Sequence, residues 1–418
     1  MIPLLAPSEC AAWPHAAVYH GVNPTEISVQ FVLVGKCWPF SPARGVHLTH
    51  REWHGYGAKM AYFLALAGLI IGISHLLPRP RPGRLFTAGL IVITGFLATQ
   101  GVLSCAISAL GLVPRGPLHE LLEYLTEYDD DRPVVLLVGS SFTQQGIDPE
   151  VLAEILGESG RRITVLPLAI GGLSHLERLY YLKEYLAHAK RMPQLVLFEI
   201  AGGYDNGPLF QLQQMSFSDR MVAMMDGSSA WWAFRWLFSM DGSGLPTRIV
   251  LAGKILAHLS LHVGHIGFLW NSTRAHHPSG YDPRALPPKV QHFTDDEVAR
   301  FVEQAAETRD LRADWPQSVP TNWMRAFLQA EMSTLHRHGV DRFAFYSVPS
   351  MQGANAAYAR RFCAAMANFA CIVGEDPQLL AGLQRDMDWY DFDHLHGEGR
   401  RLYTQWLGDR LLAQDILP

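Results

Sequence analysis

The sequence predicts an α/β fold, a parallel sheet with helices on both faces, carrying one long insertion and preceded by two apolar stretches. Three observations predict it. Short apolar runs near 134–139, 162–168, 194–200 and 342–348 alternate with helically periodic segments near 150–158, 174–190, 321–338 and 355–369, the order that builds a parallel sheet covered on two sides. The stretch from about 202 to 320 is too long for an ordinary loop and predicts a partly helical cap above the strand ends. Met60 to Leu77 and Leu85 to Val113 are apolar over 18 and 29 residues, each enough to cross a hydrocarbon core of ~30 Å. The predicted divisions are therefore a weakly structured segment 1–55, a transmembrane hairpin within 56–115, a short acidic connector 116–132 and the sheet domain 133–418.

Residues 1–55 show no clear period, and the start lacks the basic region and apolar run of a signal peptide. Met1 and Met60 both stand as natural starts. Between the two apolar stretches lies Pro78-Arg79-Pro80-Arg81-Pro82-Gly83-Arg84, whose three arginines favour a cytoplasmic loop. That orientation puts the N-terminal segment and everything after residue 114 outside the cytoplasm. Outside the cytoplasm a disulfide is permitted, so Cys363 and Cys371 are a candidate pair, as are Cys10 and Cys37.

The sheet domain begins with Val134-Val135-Leu136-Leu137-Val138, which runs directly into Gly139-Ser140-Ser141. A hydroxyl at the carboxyl end of a buried parallel strand lies where open α/β sheets do chemistry. Residues 142–149 read as a loop into the next helix, with Asp148 and Pro149 at its start. After the second strand comes Gly171-Gly172, and after the third Gly203-Tyr204-Asp205-Asn206.

The insertion holds Trp231-Trp232-Ala233-Phe234-Arg235-Trp236-Leu237-Phe238, best read as the buried core of the cap, with sugar stacking, pocket cover or bilayer contact as alternatives. From Ile249 to Trp270 the chain is apolar, with His258, His262 and His265 at helical spacing. Lys254 and the histidines favour an amphipathic cap helix over a third membrane span. No glutamate follows the first histidine as in a zinc-protease helix, and no metal is expected. Asn271-Ser272-Thr273 matches a glycosylation acceptor and is assigned no function.

A second polar block, Asp391-Phe392-Asp393-His394-Leu395-His396-Gly397-Glu398-Gly399, precedes a last amphipathic helix near 399–413. A serine needs a base to take its proton and a carboxylate to fix that base's tautomer. Asp391 with His394 and Asp393 with His396 both have the spacing to supply them.

Together the Gly-Ser-Ser block and the late Asp-x-x-His block resemble the SGNH, or GDSL-like, hydrolase superfamily, over roughly residues 132–415. The resemblance implies a three-layer α/β/α SGNH-type fold with Ser141 as nucleophile. The family pattern Asp-x-x-His-Leu-x-x-x-Gly matches His394, Leu395 and Gly399, and so favours Asp391 and His394 as acid and base. The oxyanion hole is implied to use the N–H groups of Ser141 and Gly171, with Gly172 the neighbouring alternative, and the side chain of Asn206. At Asn206 the chain departs from the family, whose order Gly-x-Asn-Asp is inverted here.

Gly-Ser-Ser followed by Gly146-Ile147-Asp148-Pro149 looks like the membrane-anchored branch that acts on bacterial cell-surface glycans. It implies a serine esterase or O-acyltransferase that removes or transfers acyl groups, acetyl first, through an acyl-serine without a cofactor. The implied setting is the bacterial inner membrane, with the catalytic domain in the periplasm or outside the cytoplasm. The implied partners are an acylated glycan, the bilayer through the hairpin, and a multi-spanning membrane acyl-transfer protein. Two other readings stand: a noncatalytic glycan-binding or scaffold subunit of an envelope assembly, and a lipid esterase or thioesterase.

Composition limits the remaining classes. Hydrophobic residues are 49% and charged residues 17% of 418, and the mean hydropathy of +0.05 tilts toward membrane association. A net charge of −5 and the lack of any basic run interleaved with aromatics argue against nucleic-acid binding.

Overall fold

The computed structural model describes residues 17–18, 29–30, 95, 119–158, 160, 162–201, 212, 219–239, 244–263, 291–312, 318–414 and 416–417. Strands β1 (Ala17–Val18) and β2 (Val29–Gln30) form a two-residue antiparallel pair. The proposed hairpin 60–113 lies outside the described residues except for Gly95. Among the described residues, no helix is long and apolar enough to cross a membrane.

The main sheet is built from β3 (Val134–Gly139), β4 (Thr164–Ala169), β5 (Leu195–Glu199), β6 (Phe343–Ser347) and β7 (Cys371–Val373). Their order is β4-β3-β5-β6-β7, and every neighbouring pair is parallel. The four strands expected from the sequence are present within two residues at each end. The edge strand β7 was not predicted, because three residues are too few to show a pattern. The connection from β3 runs to β4 on one side, whereas that from the adjacent β5 runs to β6 on the other, so the two neighbours send their chains in opposite directions. A crevice opens at such a switch point.

Alternate side chains of β3 feed two cores, as the two-residue period of a strand requires. Val134, Leu136 and Val138 pack with helices α1 (His119–Thr126), α4 (His175–His188), α9 (Asn322–Arg337) and α10 (Gly353–Ala365). Val135 and Leu137 pack with α3 (Pro149–Glu158), α8 (Asp295–Glu307), α11 (Pro377–Gly382) and α12 (Gly397–Ala413). The result is a three-layer α/β/α sandwich. Between layers' own helices, Arg178 of α4 makes a bidentate ion pair at 2.7 Å with Glu331 of α9, both buried.

Three differences from the sequence reading have local causes. The segment 142–149 is not a loop: Ser141–Gly146 forms helix α2, whose polar sequence has no apolar period but which Ser140 caps. The connector 116–132 contains α1, which buries Leu121 and Leu125 against α4. The insertion 202–320 is cap only in its first part. Helices α5 (Asp219–Ala223), α6 (Gly227–Ser239) and α7 (Leu245–Val263) build a separate core on Leu176 and Leu179 of α4, whereas α8 buries Val298 and Val302 in the main body.

Within the cap, Trp236 is buried with its ring edge-on to Trp323, as a core reading of the tryptophan cluster requires, while Trp231 is 67% exposed. The Nδ1–H groups of His258 and His262 donate to the carbonyls of Lys254 and Val222. His265 lies outside the described residues. Cys363 and Cys371 are joined by a disulfide that ties α10 to β7.

Candidate active site

The turn that leaves β3 is fixed from behind by one buried carboxylate. Glu199, the last residue of β5, accepts from the Ser140 N–H at 2.9 Å, the Ser140 hydroxyl at 2.5 Å, the Thr143 N–H at 2.9 Å and the Thr143 hydroxyl. The Thr143 hydroxyl has one proton, spent on Glu199, so it accepts from the Tyr346 hydroxyl of β6. Glycine is required at 139, since a Cβ there would collide with Thr143 and lie 2.6 Å from Glu199 Oε2. With Ser140 turned inward as cap, Ser141 occupies the first position of α2 and its hydroxyl faces out over the strand ends. Its own N–H is one of the donors that a helix start leaves without an intrahelical partner.

The late block arrives from the opposite layer. Trp389 is fully buried with its Nε1–H on the Leu383 carbonyl, and it bridges Leu395 across a narrow loop closed by the Tyr390 N–H on the His394 carbonyl at 2.8 Å. Within that loop the Asp391 carboxylate accepts from His394 Nδ1 at 2.8 Å and from the N–H groups of Asp393 and His394 at 2.7 and 2.9 Å. His394 Nε2 stands 2.8 Å from Ser141 Oγ. The Phe142 ring lies 4.9 Å from the imidazole, and Tyr390 approaches it edge-on from another side.

The ambiguity between the two Asp-x-x-His pairs is removed by where each carboxylate points. Asp393 turns away and accepts from Ser350 Oγ at 2.8 Å, Gln352 Nε2 at 2.7 Å and Asn355 Nδ2 at 3.1 Å, anchoring the loop to the β6–α10 connection. Electrostatics separates the two carboxylates further. Burial works to raise the Asp391 pKa but is outweighed by the hydrogen bonds from His394 and the Asp393 N–H, which leave it below the ordinary aspartate value. For Asp393 burial prevails over the Ser350 hydrogen bond, and its pKa is raised.

Facing Ser141 is the turn Ile170-Gly171-Gly172-Leu173, closed by the Leu173 N–H on the Ile170 carbonyl at 3.1 Å. Gly172 has φ +66°, a left-handed conformation that favours glycine. Gly171 abuts Ser141: a Cβ built on it would lie 4.0 Å from Ser141 Cβ. The turn is held from the cap. Arg220 of α5 donates to the carbonyls of Gly171 at 2.8 Å and Gly172 at 3.2 Å, and its Nε pairs at 2.6 Å with buried Glu177, which also completes the capping box of α4. Asn206 lies outside the described residues.

Ser141, His394, Asp391 and Gly171, expected from the sequence, are thus brought together, across 253 residues for the serine and histidine. Glu199 and Arg220 were not found from the sequence. A glutamate closing the otherwise apolar run Leu195-Val196-Leu197-Phe198 was the available signal, because a buried charge needs a dedicated partner set. A serine hydroxyl on the Nε2 of an imidazole oriented by a carboxylate can lose its proton as it attacks an electrophilic carbon. Among the described residues no group of histidine, cysteine and acidic side chains is arranged to hold a metal. No protein-family model and no curated protein matches this sequence.

Proposed function

We propose that this protein is a serine esterase or O-acyltransferase, acting through an acyl-serine on acyl esters, acetyl first, of a glycan outside the cytoplasm. The observation that carries the chemistry is the continuous relay from Ser141 Oγ through both ring nitrogens of His394 to Asp391. In this reading His394 takes the Ser141 proton as the oxygen attacks the ester carbonyl, and returns it to the departing alcohol. Asp391 holds the Nδ1–H tautomer and stabilises the imidazolium. The N–H groups of Ser141 and Gly171 meet the oxyanion, with Asn206 as a third donor. Water or a sugar hydroxyl, deprotonated by the same imidazole, then releases the acyl group.

Glycan and membrane setting rest on the resemblance of Gly139-Ser140-Ser141 and Gly146-Ile147-Asp148-Pro149 to the membrane-anchored SGNH branch and on the apolar stretches 60–77 and 85–113. A multi-spanning acyl-transfer partner belongs to the same reading.

A fluorophosphonate probe tests the chemistry. It is expected to label the full chain, and Ser141→Ala to abolish the labelling; an unlabelled wild-type protein would mark a noncatalytic subunit. An acetyl-donor assay with oligosaccharide acceptors, read by mass, then separates transfer to sugar from hydrolysis. Faster cleavage of long-chain esters without sugar modification would instead indicate a lipid esterase.

A further inference from the structure

Nine large hydrophobic side chains are prominently exposed among the described residues, and six of them lie on two packed helices of the cap. On α6 these are Trp231 (67% exposed) and Phe238 (75%), seven residues apart and so on one side of the helix. On α7, Leu245, Ile249 and Leu256 follow a helical stripe, with Val250 beside it. Neither helix contains an aspartate or glutamate, whereas they carry Arg235, Arg248 and Lys254. Arg235 is exposed and lies over the Trp232 ring at 5.0 Å. An apolar stripe with an aromatic residue, on helices whose charged side chains are all cationic and of which Arg235 is exposed while Lys254 turns inward to the Leu212 carbonyl, has the composition of a helix that lies in a bilayer interface.

The path of the chain brings this surface and the start of α1 onto the same helix, α4. Helix α1 starts at His119, so only residues 114–118 separate it from the apolar stretch that ends at Val113. Such a link reaches about 20 Å at full extension. Helices α1 and α6 both pack on α4, where Lys183 also donates to Ser228 at the start of α6. Tyr124, 52% exposed on α1, adds an aromatic side chain near the tether. The opposite layer, with α3 and α12, is shielded from the tether by the whole sheet.

We infer that the exposed face of α6 and α7 rests on the lipid interface and sets the height and tilt of the active site above the membrane. The inference builds on the reading of 60–113 as a membrane hairpin. A domain held by its tether alone would sample many orientations, whereas a second contact on the cap, whose Arg220 grips the Gly171 turn, presents the strand ends in one.

The test uses the full chain in phosphatidylglycerol-containing membranes, with the photoreactive residue benzoylphenylalanine replacing Trp231, Ile249 or, as a control on the other layer, the exposed Met387. Lipid adducts at 231 and 249 are expected to exceed those at 387 by roughly tenfold. Adducts at 231 and 249 to a second copy or to another protein, without lipid, would overturn the inference. Alkaline extraction of the same membranes separates it from the hairpin reading. Retention of the chain without lipid adducts overturns the surface alone, and release with adducts overturns the hairpin alone. Release without adducts overturns both.

Discussion

Glu199 holds the turn that carries Ser141, the proposed nucleophile. It touches no reacting atom, yet it receives four donors from Ser140 and Thr143 and so fixes the turn on which Ser141 stands. Glu199→Gln replaces one acceptor oxygen with an amide donor facing donors. It is expected to lower stability by about 2–4 kcal/mol and acyl turnover by about 100-fold, measured by denaturant unfolding and by the rate of fluorophosphonate labelling. A loss of stability with unchanged labelling rate would deny it the positioning role. Ser141, Asp391 and His394 were legible because each lies in a short block, Gly139-Ser140-Ser141 or Asp391-Phe392-Asp393-His394, whose residues are local in sequence although Ser141 and His394 are 253 residues apart. Glu199 was not, because it belongs to neither block and no motif fixes the 59 residues between it and its partner Ser140.

Asp391 and Asp393 lie two residues apart, yet their pKa values move in opposite directions. Asp391 is held below the ordinary value, so the stability it contributes is present above that value and is lost as pH falls through its folded pKa. Asp393 is raised, so folding favours its protonated form, and stability declines as pH rises from 3.8 through its folded pKa. Removing that titration with Asp393→Asn is expected to make stability, relative to its acid value, rise more or fall less with pH over that window. Unfolding midpoints across the acid range would reveal it; curves parallel to wild type would show that Asp393 does not titrate there.

Among the described residues, the Arg220 guanidinium couples the cap to the Gly171 turn. Arg220 reaches from α5 to two consecutive carbonyls of the Gly171 turn while buried Glu177 holds it from the other side. Arg220→Ala is expected to lower kcat by about 10- to 100-fold with a smaller change in KM, since in the proposed mechanism the Gly171 N–H that it loosens acts in the transition state. Arg220→Lys would restore only part of the rate, because one ammonium cannot reproduce the fork. A change confined to KM would place Arg220 in substrate binding instead. Why some elements escaped a reading of the sequence is also a matter of local pattern. Long apolar runs gave away β3 to β6, but Ser-Phe-Thr-Gln-Gln-Gly in α2 has no apolar face and helix formation there follows from the Ser140 cap. The cap was readable as an insertion, whereas the return of α8 to the main body depends on Val298 and Val302 packing against residues far along the chain.

For the molecule as a whole, the disulfide between Cys363 and Cys371 closes the edge of the sheet. Its partners are eight residues apart, so the bond restricts a short loop in the unfolded chain and contributes about 2.5 kcal/mol in the chain-entropy account. Cys363→Ser is expected to lower the unfolding free energy by about that amount while leaving labelling of Ser141 intact at moderate temperature. Equal stability under reducing and oxidising conditions would count against it.

The long separation between Ser141 and His394 also bears on synthesis. If Ser141 acts as proposed, a ribosome-bound chain that has not yet reached residue 394 has the hydroxyl but lacks the imidazole that would take its proton. Under that proposal the serine gains its base only after translation has passed His394 and its loop has docked.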